Sequence, residues 1–168
     1  MTHPLVEQLR FARSEFSRGL RGVPEADGYR RLEPMNSIGW IVAHMAWHEQ
    51  RYWLTRLAGT TPVPSVNEIA PNGGPATTPS LRAMLGAWKA ITTAADPHLD
   101  RLDEQTMSGS LPGLPPRNTG SAVLRVTYHY WFHTGELMAI RQLLHHPRRP
   151  DFVGDIDAQA PYRAGGGL

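Results

Sequence analysis

Residues 120–144 read GSAVLRVTYHYWFHTGELMAIRQLL, and this stretch decides the fold. It is almost continuously apolar or aromatic on one side, with no proline to interrupt it. A long helix of this kind must lay its apolar side against other helices. His145, His146 and Pro147 close it, because proline can neither donate a backbone N–H nor continue the turn.

Three further helices are legible outward from this one. The first spans about Pro4 to Leu20, with Leu5, Leu9, Ala12, Phe16 and Leu20 recurring at three- and four-residue spacing. Gly22, Val23 and Pro24 end it, and a short connection carries Asp27-Gly28. The second starts at Asn36 or Ser37, both good N-caps, and runs through Trp40, His44, His48 and Leu54 to about Ala58. The third begins near Thr78-Pro79-Ser80 and carries Leu81, Met84, Leu85, Trp88, Ile91 and Leu102. Pro97 falls inside that pattern and is expected to kink or interrupt it. Residues 59–78 and 103–119 read as two long loops, the second rich in proline (Pro112, Pro115, Pro116). The chain after Pro150 reads as loop, with Ala164 to Leu168 expected to be disordered. No repeat and no strand pattern appears. The expectation is an all-α fold, a four-helix bundle with two long connections over residues 1–154, followed by a tail over 155–168.

Composition removes several function classes. The 168 residues, 40% of them hydrophobic, suit one domain with a real core. Seventeen basic residues against fifteen acidic ones leave a net charge of +2, too balanced to argue for a nucleic-acid partner. All the basic residues except Lys89 are arginine, which with the many Ala, Gly and Pro suggests a GC-rich bacterial gene. No apolar run is long enough for a membrane span, and the first ten residues do not read as a signal peptide. A cytoplasmic location is the default. There is no cysteine, so disulfides, thiolate-ligated zinc and a cysteine nucleophile are excluded. Any thiol chemistry needs a thiol from outside.

The chemistry resides in two His-x-x-x-His pairs. His44 and His48 lie in HMAWH on the second helix, and His129 and His133 in HYWFH on the fourth. Residues four apart share a helix face, so each pair can present two imidazoles to one metal ion. A third imidazole from a facing helix completes a three-histidine site with positions open for water or substrate. Imidazole suits zinc, nickel, copper and iron alike, so spacing does not name the metal. This is not the zincin motif, because Met45 and Tyr130 stand where its glutamate would be. Nor is it a ferritin-like di-iron site, which needs Glu-x-x-His on two helices.

Two stretches carry a family resemblance. They are SIGWIVAHMAW at residues 37–47 and HYWFHTGEL at 129–137, with a weaker match at Asp151-Phe152-Val153-Gly154. The chain resembles the DinB-like family in these motifs and in the order of its helices and loops. That resemblance implies a four-helix bundle of up-up-down-down topology, assembled as a homodimer. It implies a divalent ion, zinc or nickel ahead of iron or manganese, on His44, His129 and His133. His48 has no fixed counterpart in the family pattern and can serve as an extra ligand, a general base or a rim residue. Relatives include thiol transferases using bacillithiol or mycothiol, and mycothiol-dependent maleylpyruvate isomerase. The implied partners are therefore a low-molecular-weight thiol and a small electrophile. Rival readings are a non-catalytic metal- or small-molecule-binding bundle in stress or resistance, and a metal-dependent isomerase or hydrolase.

Other residues are weighed by position. Arg125 lies one turn before His129 and can hold an anionic group, with a surface ion pair as the plainer use. Glu136 follows His133 by three and can orient it; with His48 it is the candidate for proton handling. Glu49 and Arg51 are expected to be solvated. Trp40, Trp47, Trp53, Trp88 and Trp131 are expected in the core or a dimer interface. His3, His98, His145 and His146 are expected at the surface.

Overall fold

The structure is a computed structural model that describes residues 2–113 and 118–163. Four long helices form the bundle. They are α1 (Pro4–Leu20), α3 (Ile38–Glu49), α5 (Leu81–Leu99) and α7 (Thr119–Leu143). Short helices α2 (Glu25–Tyr29), α4 (Val66–Ile69), α6 (Glu104–Ser108) and α8 (Ile156–Gln159) lie in the connections and the tail. No helix is long and apolar enough to cross a membrane among the described residues.

Side-chain caps set the starts of the long helices. The hydroxyls of Ser37 and Ser80 accept from the backbone N–H groups of Trp40 and Ala83. The Asn118 side chain does the same for Ser121. Each satisfies a backbone donor that the first turn leaves free. Pro97 falls in the last turn of α5, which ends two residues later at Leu99. The hydrogen bond that proline forgoes therefore terminates the helix rather than bending its middle. α3 passes directly into a π-helical segment, Gln50–Arg56, whose wider turn carries the chain to its long crossover. Gln50, fully buried, fixes that crossover by exchanging two hydrogen bonds with the backbone of Val63.

Contacts fix the helix directions. Phe11 packs on Trp131 at 6.1 Å, while Gly19 lies against Leu137, so α1 and α7 run parallel. Arg13 reaches Asp96 and Phe16 reaches Trp88, so α5 runs against α1. Trp40 adjoins His133 and His48 adjoins His129, so α3 runs against α7. The order is up-down-down-up, and the expected up-up-down-down order is corrected by it. The reason is local. The connection through α2 keeps the chain at the end where α1 finished, and the second long helix must turn back there. A side chain on Gly39 would stand 2.3 Å from the Pro79 carbonyl oxygen, so glycine is what lets α3 start this close to the start of α5.

The core is continuous from Leu9 and Phe16 of α1 through Ile41 and Met45, Ile91, and Val126 and Leu137. One polar network crosses it and touches all four long helices. Arg13 Nε donates to Glu49 Oε1 at 2.8 Å, and Arg13 Nη1 donates to Asp96 at 2.8 Å. The Tyr130 hydroxyl donates to Glu49 Oε1 at 2.8 Å and accepts from the Trp88 indole at 2.7 Å. Glu49 is fully buried, contrary to the solvated position expected from its charge. Burial pulls the Arg13 pKa down, but the Glu49 carboxylate outweighs it and holds the guanidinium above its ordinary pKa.

The tail is not free loop. Gln8 donates to the Ala160 carbonyl at 2.7 Å, and the Gly154 N–H donates to Glu15 at 2.9 Å, which lays the tail along α1. Residues 164–168, expected to be disordered, and Pro115 and Pro116 lie outside the described residues. His146 is a further correction. It is buried between Arg141 and Asp27 rather than at the surface, and His3 and His98 are half-buried.

Candidate metal centre

The antiparallel pairing of α3 and α7 turns both His-x-x-x-His pairs toward each other. Ring centroids of His44 lie 4.9 Å from His48, 5.1 Å from His129 and 5.2 Å from His133. His48 and His129 are 4.0 Å apart, and His129 and His133 are 4.5 Å apart. Each helix contributes two rings, one turn apart, as the spacing implies.

Hydrogen bonds orient two of the four. His44 Nδ1 meets the Ala70 carbonyl at 2.8 Å. A carbonyl can only accept, so Nδ1 carries the proton and Nε2 presents its lone pair to the cluster. His133 Nδ1 meets Glu136 at 2.8 Å, which likewise leaves Nε2 for the cluster. That Nε2 faces His129 Nε2 at 2.9 Å. Ala70 comes from the crossover beside α4, and no sequence signal pointed to it. Glu136 takes the orienting position that its spacing from His133 suggests.

Nitrogen atoms of His44, His48 and His129 all lie within 4.8 Å of one another. His48 is therefore inside the cluster and not merely at its rim. This group could hold a metal ion. Its donors are neutral imidazoles, which suit a divalent first-row cation. The buried Nδ1 atoms of His48 and His129 have no hydrogen-bond partner among the described residues, as befits nitrogens kept for something other than protein.

Burial holds the rings of His44, His48 and His129 neutral. It lowers His44 to about 4 and His129 to about 3, with the neighbouring imidazoles adding to the effect. His48 is lowered further for the same reasons. Burial raises Glu136, but its bonds to His133 and Asn36 prevail and keep it below the ordinary range. The unfolded chain would protonate its histidines near 6.5, so it binds protons that the folded cluster refuses. Stability of the metal-free protein should therefore fall as pH drops from about 6.5 towards 4. Urea midpoints of chelator-treated protein at a series of pH values will show this slope, and His44→Gln should flatten it. A midpoint unchanged across that window would contradict the buried neutral cluster.

A cavity of about 780 Å³ opens beside the rings, with His48 and His129 on its wall. Trp47, Tyr52 and Phe132 supply an aromatic lining, and Arg51, Arg56 and Arg125 supply positive charge. Arg51 lies over the Trp47 ring at 5.0 Å and Arg56 over Tyr52 at 5.8 Å. Arg56 Nη1 is buried without a partner among the described residues. None of the three guanidiniums pairs with a carboxylate among the described residues. Arg125 thus joins the cavity wall, and Arg56, which the sequence did not single out, joins it through the π-helical segment. Trp53 and Trp40 both lie in the core, as expected, and Trp40 also stacks on His44 at 4.5 Å.

The model of the DinB superfamily matches residues 8–137. The chain belongs to the DinB superfamily. The match spans both His-x-x-x-His pairs, all of α3, and α7 as far as Leu137. Members of the DinB superfamily are typically metal-binding, in keeping with the cluster just described. No curated protein matches the chain.

Proposed function

We propose that this DinB-superfamily protein is a divalent-metal-dependent enzyme that transfers a low-molecular-weight thiol to a small electrophile bearing an anionic group. One observation carries the reading: neutral, converging imidazoles form the wall of a cavity that is otherwise aromatic and cationic. His44 and His129 would hold the ion with His133, whose ring Glu136 orients. A divalent ion there supplies a Lewis acid that lowers the pKa of a bound thiol and keeps it as thiolate at neutral pH.

The chain's own residues do the rest. It has no cysteine, so the sulfur comes from the cosubstrate. His48, whose Nδ1 has no partner among the described residues, would take up the proton that leaves the thiol as it becomes thiolate, before the carbon–sulfur bond forms. It then returns that proton to the departing group. Arg51, Arg56 and Arg125 would grip the anionic end of the electrophile, and Trp47 and Tyr52 would cover its apolar body.

The test is turnover with mycothiol and with bacillithiol, each against a chlorinated carboxylate electrophile. A rate above background that disappears on chelation and returns on adding zinc or nickel is expected. Metal bound at full occupancy with no rate for either thiol would sink the transfer reading and favour a binding protein. Product formed without any thiol would favour a hydrolase or isomerase.

A further inference from the structure

A second cavity, of about 610 Å³, lies where α1 and α7 end and the chain enters its tail. Arg141, on its wall, stands eight residues beyond His133, about 12 Å along the helix axis. Five arginines line it: Arg18, Arg21, Arg141, Arg148 and Arg149. That is a concentrated charge for a chain whose net charge is only +2.

Arg141 is the telling residue. It is 2% exposed, yet its guanidinium meets no carboxylate among the described residues. It donates to the Gly19 carbonyl, to the Arg148 carbonyl at 2.7 Å and to His146 Nδ1 at 3.2 Å. These are neutral acceptors, and a buried cation compensated only by partial charges is expensive. Burial and the nearby Arg149 depress its pKa accordingly. Arg21, Arg148 and Arg149 have no carboxylate partner either. Of the nearby carboxylates, Glu15 holds Arg18 and Asp27 holds His146 and Arg30, while Asp151 stands close enough to Arg18 to be felt by it but pairs with no arginine of the cavity.

We propose that this cavity binds a small multivalent oxyanion, the phosphate groups of a phosphorylated small molecule, at a site separate from the imidazole cluster. Guanidinium groups match phosphate oxygens in geometry and charge, and several converging on one hollow suit more than one phosphate. The concave shape favours a small molecule over a nucleic-acid strand, which would need an extended basic surface.

Inorganic tripolyphosphate is the probe, titrated calorimetrically into the purified protein at low salt. Binding is expected, and it should weaken at least about tenfold in the double variant Arg148→Gln/Arg149→Gln and in Arg21→Gln. All three positions are exposed, and circular dichroism checks that the variants fold. His129→Ala and the distant Lys89→Gln should bind tripolyphosphate like the parent. No binding at millimolar probe would overturn the proposal. So would loss in His129→Ala with the arginine variants unaffected, because the anion would then sit at the metal centre. Binding of a DNA duplex without binding of tripolyphosphate would overturn it too, marking the arginines as a nucleic-acid face.

Discussion

Arg13→Met should cost the fold about 3–5 kcal/mol, measured by urea unfolding. The variant leaves the Glu49 carboxylate fully buried with the Tyr130 hydroxyl as its main remaining donor. One neutral donor cannot compensate a charge taken out of water. Asp96, the other partner of Arg13, is half-exposed and loses little. The double variant Arg13→Met/Glu49→Leu should recover most of the loss, because it removes the stranded charge together with its partner. A single variant within about 1 kcal/mol of the parent would show that Glu49 finds solvation elsewhere. A double variant as unstable as the single one would show that packing, not charge, is at stake.

His129→Ala should empty the metal centre. Bound divalent ion, measured by elemental analysis, is expected to drop from about one per chain to below about a tenth. His129 is the ring common to every grouping the geometry allows: it joins His44 and His48 within 4.8 Å, and its Nε2 faces His133 Nε2 at 2.9 Å. Two companion variants separate the roles of the others. His133→Ala should release the metal as His129→Ala does, whereas His48→Ala should retain it and lose the rate. Glu136→Gln should weaken metal binding about 10- to 100-fold, as loss of a group orienting a ligand does. Retention of a full metal complement in His129→Ala would defeat the site as drawn. Loss of metal in His48→Ala with His133→Ala unaffected would move the third ligand from α7 to α3.

Much of this was legible in the chain itself. Pro4–Leu20 is bounded as its periodicity implies, and of the two expected caps, Asn36 and Ser37, it is Ser37 that starts α3. A four-residue spacing puts His44 above His48 wherever the helix goes. Helix directions were another matter, because they follow from where α2 returns the chain, and no periodicity encodes that. Glu49 misled for a related reason. A charged residue on a helix normally means solvent, and its buried partner Arg13 lies 36 residues away. The Ala70 carbonyl that sets the His44 tautomer is a backbone atom, so no side-chain pattern could announce it. His146 misled as well, since its partner Asp27 is at the other end of the sequence.

The parallel pairing of α1 and α7 has a consequence for folding. The first of the four long helices packs against the last. Until α7 is in place, Phe16 has Trp88 but not Tyr130 against its ring, and the Arg13–Glu49 pair lacks the Tyr130 hydroxyl. Contacts between residues so far apart in sequence slow closure, because long loops must be ordered before any reward arrives. Closure of this bundle is therefore expected to be slower than that of a bundle of successive hairpins, which stopped-flow refolding would measure.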